Sequence, residues 1–305
     1  MYKTKILYIA SNGRSGSTLL EKLLCRDGKN FSVGEIEFLD KERRSNSLCS
    51  CGKAMDQCRF WSPLIQSGTS TLFTYPFSYF RSIDSRVVQP KIIISIIKKL
   101  LVGEGYINLK FQDYIQKNEE AFKKISKMSG YDCIVDSSKD PYRMYLLSES
   151  QELDVAVLHM IKHPCSFVFS MNKNLSGLAR YIRAARMSFR WTFQNLLIII
   201  LVRLSPCTKY CRIKYEDLAT RPSEIMNLVT GLKFTGSHVN STKNISHSIA
   251  GNDLRFSNRK IILDERWKTQ QHLIEKWTIL CLTFPLKWAW STQVKLDEYK
   301  YIQEG

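Results

Sequence analysis

The sequence predicts an α/β protein with a central parallel sheet that is covered by helices on both faces. Two apolar runs carry most of this prediction, Ile6–Ala10 and Val155–Ile161, because such runs are typical of strands buried on both sides. Further strands are predicted near residues 132–136 and 210–215, with helical segments between them. Strands that alternate with helices form parallel sheets, and ligands of such sheets bind beyond the carboxyl ends of the strands.

The first strand runs directly into Ser11–Leu20 (SNGRSGSTLL), which predicts a turn and a helix over about residues 17–25. Two glycines let the backbone turn back on itself, so that N–H groups and the helix dipole converge on an anion. The nucleotide P-loop has a lysine after its second glycine, whereas this chain has Ser17 there and carries its cation, Arg14, inside the turn. The sequence therefore predicts a P-loop-like sheet whose anion-binding residues are Gly13, Arg14, Ser15, Gly16, Ser17 and Thr18. An ordinary glycine turn without a ligand is the alternative.

A second basic segment, Lys162–Ser170 (KHPCSFVFS), follows the strand 155–161. Its proline suits the first turn of a helix, which places Ser170 about two turns into that helix. Three more segments carry polar residues next to predicted strands or in a late loop: Val135–Pro141 (VDSSKDP), Ile213–Leu218 (IKYEDL) and Ser248–Arg255 (SIAGNDLR). Because the carboxyl ends of parallel strands meet at one edge, Arg14, Lys139 and Lys162 are expected to lie together.

These segments, in this order, resemble sulfotransferases that use 3′-phosphoadenosine-5′-phosphosulfate, in particular bacterial carbohydrate-type and tyrosylprotein sulfotransferases. The glycine loop resembles the family's 5′-phosphosulfate loop. Lys162 and Ser170 have the spacing of the arginine and serine that hold the 3′-phosphate in the family. This chain departs from the family with Lys162 for arginine and His163 for aspartate. The ammonium of Lys162 is a single compact charge and cannot bind phosphate bidentately as a guanidinium does.

The resemblance implies in-line transfer of a sulfuryl group to an acceptor hydroxyl, with no metal required. It assigns charge stabilisation to Arg14 and Lys139, the catalytic base to Glu35 in a Gly-Glu pair, and closure over the adenosine to Arg255. His159 and His163 are alternatives as base, although His159 lies inside a buried strand and is more typical of a core histidine. The implied acceptor is a saccharide or a glycolipid, with tyrosine or a small molecule as alternatives.

Composition limits the remaining function classes. The 305 residues show no Pro-, Gly- or Ser-rich linker, so one domain over residues 1–305 is predicted, with an insert at about 43–129 that faces the acceptor. The net charge of +17 suits an anionic donor. Basic residues are dispersed and no nucleic-acid motif is present, so no specific nucleic-acid partner is predicted. Two further hypotheses stay open, a P-loop small-molecule kinase and a non-catalytic module that binds anions or nucleic acid.

Apolar runs in this sequence are short. Leu196–Val202 is far shorter than the ~20 residues that span a bilayer, and no signal segment precedes the first strand, so a cytoplasmic location is predicted. The lysine-flanked run Ile92–Ile97 is predicted to be core, with a peripheral membrane contact as the alternative. Four arginines at helical spacing indicate either a solvated face or an anion clamp: Arg180, Arg183, Arg186 and Arg190.

Nine cysteines do not indicate a disulfide framework in a chain that is predicted to be cytoplasmic. Three of them nevertheless lie close together, at Cys49, Cys51 and Cys58. A compact loop with reduced thiols is the favoured interpretation. Zinc is the alternative, and it requires Cys25, a histidine or a water to complete the ligand shell.

Overall fold

A computed structural model describes residues 3–67, 98, 109–172, 175–207, 209–231, 246–256 and 263–291. The strands of this part of the chain form a single five-stranded sheet in the order β2-β3-β1-β4-β5. Each neighbouring pair is parallel, which confirms the predicted fold class. The strands are β1 (Thr4–Ser11), β2 (Phe31–Gly34), β3 (Cys133–Lys139), β4 (Leu153–Ile161) and β5 (Lys209–Lys214).

Helices occupy most of the connections. In chain order they are α1 (Ser17–Leu24), α2 (Leu39–Arg44), α3 (Trp61–Gln66), α4 (Leu109–Ser129), α5 (Pro141–Ser148), α6 (Pro164–Met171), α7 (Gly177–Leu204), α8 (Tyr215–Thr220), α9 (Pro222–Gly231), α10 (Trp267–Gln270), α11 (Leu273–Thr283) and α12 (Lys287–Ser291). Single turns of 3-10 helix lie at Ile36–Phe38, Asp253–Phe256 and Phe284–Leu286.

The central strand β1 is buried on both faces, as its apolar run predicts. Side chains alternate along a strand, so Ile6 and Tyr8 pack on one face with residues of α4, α5 and α7. Leu7 and Ile9 pack on the other face with residues of α1, α8 and α9. Helices therefore cover both faces of the sheet.

The described part of the predicted insert contributes side chains to the core. In α4, Tyr114, Phe122 and Ile125 are fully buried against the sheet. The run Ile92–Ile97 lies outside the described residues, as does most of the insert between α3 and α4. An acceptor-facing role for the insert stays a prediction.

By length and composition alone, α7 is long and apolar enough to cross a membrane, and it is the one such helix in the described ranges. Core helices of soluble proteins can be equally long and apolar, and 44% of the most apolar 18-residue stretch of α7 is buried. Its Trp191, Asn195 and Ile198 are fully buried, and the helix packs against β1, β4, α5 and α11. These contacts make α7 a packing element of this fold.

Candidate active site

The predicted site residues lie along the carboxyl edge of the sheet. β1 leads into the glycine loop, β2 is followed directly by Glu35, β3 ends at Lys139, and β4 is followed by Lys162. Ala10 of β1 is paired with Lys139, and Ser11 with Met160 of β4. The parallel topology thus brings the predicted residues to one edge, as the sequence indicates.

The loop between β1 and α1 has the backbone of an anion cradle. Gly16 and Arg14 both have positive φ, at 93° and 67°. A left-handed backbone costs a non-glycine residue about 1–2 kcal/mol, so the Arg14 conformation is strained. No side chain of the described residues caps α1, and the first N–H groups of a helix have no partner within it. A bound anion would satisfy those groups.

Buried polar groups in this loop lack partners. The Asn12 and Ser15 side chains are each 1% exposed, and their polar atoms form no hydrogen bond with any described residue. Buried polar atoms are seldom left unpaired. A bound polar group could pair with these atoms directly, or could rearrange the loop so that they find partners within it. Arg14 is exposed and forms no ion pair within the same ranges.

Tyr215 joins the glycine loop to Lys162, a role that the sequence does not reveal. A Cβ on Gly16 would lie 2.3 Å from Cδ2 of Tyr215, so the ring packs directly on the glycine. The Nζ of Lys162 lies 4.6 Å from the centroid of the same ring, within cation–π distance. One aromatic ring therefore fixes the spacing between the two predicted phosphate-binding elements.

The residues predicted to bind the 3′-phosphate, and those next to them, form hydrogen bonds within the protein. The Lys162 carbonyl accepts from Nε1 of Trp191 at 3.1 Å, and the Ser170 hydroxyl donates to the Phe167 carbonyl at 2.6 Å. Glu216, next to Tyr215, accepts from the His163 N–H at 3.0 Å. Burial raises the pKa of Glu216, although this bond and the nearby lysines oppose the rise.

Glu35 and Lys139, both predicted as catalytic, form an ion pair. Their side chains are 12% and 13% exposed, so the pair is largely shielded from solvent. A Cβ placed on Gly251 would lie 3.1 Å from Oε1 of Glu35 and 3.7 Å from Oγ1 of Thr18. The carboxylate therefore lies close to the helix end of the glycine loop, with Gly251 packed between them.

Arg255 lies near this pair but bonds to backbone carbonyls. Its guanidinium donates to the carbonyl of Ala250 and, at 3.1 Å, to that of Leu48. These bonds connect the Gly-Asn segment to the loop after α2. The contact between Arg255 and adenosine stays a prediction.

Both candidate histidine bases have defined structural roles. His159 is fully buried and bonded at both ring nitrogens, to Tyr210 and Asn195 at 2.9 Å, which makes it the satisfied core histidine that its strand position indicates. Burial lowers its pKa to about 3. His163 caps α6, because its Nδ1 accepts from the Cys165 N–H at 3.3 Å. It thus supplies the N-cap acceptor that an aspartate would supply there.

The folded protein is expected to lose stability as pH falls from about 6.5. Burial, with the charges of Lys214 and Lys268, lowers the pKa of His163 to about 4. The unfolded chain therefore binds more protons than the folded one between these two values, and stability rises with pH across that interval. His163→Asn keeps a capping side chain and removes the titration. Urea unfolding at several pH values should show a weaker pH dependence for this variant, and an unchanged dependence would contradict the assignment.

The arginines of α7 do not act as one group. The Nε of Arg180 donates to the buried carboxylate of Glu275 at 2.8 Å, so Arg180 belongs to the packing between α7 and α11. Three others, Arg183, Arg186 and Arg190, line a cavity of about 690 Å³. Its remaining lining is largely apolar and includes Met171, Ile182 and Phe193.

Two solved structures share this fold. With the sulfotransferase domain from the Synechococcus PCC 7002 olefin synthase, the similarity covers 96% of each chain at 16% identity and a TM-score of 0.52. With the sulfotransferase domain from the curacin biosynthetic pathway, it covers 97% of this chain and 100% of the other at 19% identity and a TM-score of 0.50. No protein-family model and no curated protein sequence matches the chain. At the level of fold, the resemblance drawn from the motifs is confirmed, and this chain has the fold of a sulfotransferase domain.

Proposed function

We propose that this protein transfers a sulfuryl group from 3′-phosphoadenosine-5′-phosphosulfate to an acceptor hydroxyl. The observation that carries the proposal is the shielded pair of Glu35 and Lys139, beside a strained glycine loop with uncapped helix N–H groups. Sulfuryl transfer needs positioning, charge stabilisation and removal of the acceptor proton. One carboxylate, one ammonium and an anion cradle supply these three needs.

The donor would occupy two subsites. Its 5′-phosphosulfate would lie on Gly13–Thr18, where Arg14 is exposed and the helix dipole favours negative charge. Its 3′-phosphate would lie near Lys162 and Ser170, and the Tyr215 ring contacts both Lys162 and the glycine loop. The serine hydroxyl would have to rotate away from the Phe167 carbonyl in order to donate to phosphate.

In the proposed reaction the oxygen of the acceptor hydroxyl bonds to sulfur, and Glu35 accepts the proton of that hydroxyl. The bond from sulfur to the bridging oxygen breaks, and the negative charge that develops on this oxygen is stabilised by Lys139 and Arg14. The products are a sulfate ester and 3′-phosphoadenosine-5′-phosphate. Before the donor binds, Lys139 neutralises Glu35. The phosphosulfate would compete for that lysine and release the carboxylate to act as base.

The proposed acceptor is the hydroxyl of a saccharide or glycolipid, and the cavity along α7 favours a glycolipid. Its wall is mainly apolar, with Arg183, Arg186 and Arg190 as polar groups. Such a lining suits a molecule with an apolar body and an anionic or polar head. The cavity is lined by α7, and the same helix contacts the edge of the sheet that carries the proposed site, because Gln194 donates to the Ser11 carbonyl and Trp191 to that of Lys162.

Incubation with sulfur-labelled donor and separate lipid, glycan and protein fractions tests this function. Label should pass to lipids or glycans, and variants of Glu35 and Lys139 should pass it far more slowly. If no fraction takes up label while the protein hydrolyses ATP or phosphorylates a small molecule with magnesium, the kinase hypothesis is correct instead.

Lys162→Ala should weaken binding of 3′,5′-adenosine bisphosphate by about 10- to 100-fold, since a hydrogen bond to a charged group contributes about 1.5–3 kcal/mol. Calorimetry should show that the wild type prefers the bisphosphate over 5′-AMP and that the variant no longer does. Lys162→Arg, which has the family's side chain, should keep the preference. A wild type that does not bind the bisphosphate would contradict the donor assignment.

A further inference from the structure

We propose that Cys49, Cys51, Cys58 and His247 form a structural zinc site. Their four candidate ligand atoms all lie within 4.8 Å of one another. Three thiols and one imidazole are a common ligand set for structural zinc in proteins. The sequence supplies the three cysteines together, and the fold supplies the histidine from a segment almost 200 positions later.

The distances between ligand atoms fit a tetrahedral ion. With Zn–S near 2.3 Å and Zn–N near 2.05 Å, tetrahedral angles place two sulfurs about 3.8 Å apart and a sulfur about 3.5 Å from the nitrogen. The sulfurs of Cys51 and Cys58 lie 3.8 Å apart. The Nδ1 of His247 lies 3.5 Å from the Cys49 sulfur and 3.2 Å from the Cys58 sulfur.

Surrounding groups hold the ligands in this arrangement. Cys49 and Cys58 are fully buried, and a tight turn in which the Gly52 N–H donates to the Cys49 carbonyl brings Cys51 back beside them. The His247 ring stacks on Phe60 with centroids 5.2 Å apart, and the His247 carbonyl accepts from Nε1 of Trp61 at 2.7 Å. The stacking on Phe60 fixes the plane of the ring, whose Nδ1 lies beside the sulfurs of Cys49 and Cys58. Outer contacts that orient a histidine ligand are typical of built metal sites.

The site lies next to the proposed catalytic carboxylate. Ile249, two residues after His247, accepts from the Glu35 N–H at 2.9 Å and donates to the Val33 carbonyl at 3.2 Å. Zinc would therefore fasten residues 246–256 to the cysteine loop and hold them against the end of β2. The ion would act on structure, so it is compatible with a transfer step that requires no metal.

The test measures zinc in protein expressed with zinc and purified under reducing conditions. We expect about one zinc per chain in the wild type and in Cys281→Ser, whose thiol is exposed and outside the cluster. Cys58→Ser and His247→Ala should each lose most of the metal. Full retention of zinc in both cluster variants would contradict the proposal.

Cobalt substitution of the wild type gives a readout that does not depend on whether the variants fold. A tetrahedral thiolate site should give intense d–d absorption and a sulfur-to-cobalt charge-transfer band. Absence of these bands, absence of zinc in the wild type, or a disulfide between Cys51 and Cys58 in the reduced preparation would each overturn the assignment. None of these measurements depends on sulfotransferase activity, so the proposed function can fail without affecting them.

Discussion

Glu35→Gln is expected to lower kcat for sulfuryl transfer by about 10²–10⁴, the usual contribution of a positioned general base. The amide keeps the volume of the side chain but cannot accept the acceptor's proton. Affinity for 3′,5′-adenosine bisphosphate should not fall, because the proposed phosphate subsites lie on the glycine loop and at Lys162, and Lys139 no longer pairs with a carboxylate that competes with phosphate. Steady-state kinetics with labelled donor, together with calorimetry on the bisphosphate, separate the two effects.

Glu37→Gln is the matched control, two residues further along the chain. The Glu37 backbone N–H donates to Ser138. The Glu37 carboxylate contributes to raising the pKa of Tyr8 and of Arg143 in the core. This variant should change the free energy of unfolding and leave kcat near that of the wild type. If Glu35→Gln instead transferred sulfate at the wild-type rate to every accepted acceptor, Glu35 would not be the base. His163 would then be the next candidate to test.

Positions at strand ends were predictable from the sequence. Arg14, Lys139 and Lys162 each follow an apolar run, and parallel strands collect their carboxyl ends at one edge whatever the detailed packing. Glu35 could be placed only through its resemblance to a Gly-Glu pair, because β2 spans only Phe31–Gly34 and four residues are too few for a clear periodic signal.

Contacts between distant segments were not predictable, since no local pattern carries them. Tyr215 packs on Gly16 across about 200 residues, and His247 meets Cys58 at a separation of 189. The core position of α4 did leave a signal, because Tyr114, Phe122 and Ile125 follow a helical spacing. That signal was masked by the polar residues around it.

Gly34→Ala is expected to destabilise the fold by about 2–5 kcal/mol, from left-handed backbone strain of about 1–2 kcal/mol and overpacking of about 1–3 kcal/mol. Gly34 has φ 72°, and a Cβ there would lie 2.3 Å from the carbonyl oxygen and 2.5 Å from the nitrogen of Ile249. Both contacts are with backbone, which cannot move as a flexible side chain does. Relief of the clash requires residues 246–256 to separate from β2, so activity should fall together with stability.

Gly177→Ala isolates the strain from the clash. Gly177 also has positive φ, at 59°, but a Cβ there meets no atom of the described residues within 4 Å. Its cost should be confined to the backbone term of about 1–2 kcal/mol, with transfer activity retained. Urea unfolding of the two variants measures the difference directly. Equal losses of stability would mean that the segment carrying Ile249 moves away from the added Cβ with no further loss of folding free energy. In that case its pairing with β2 would not hold Glu35 in place.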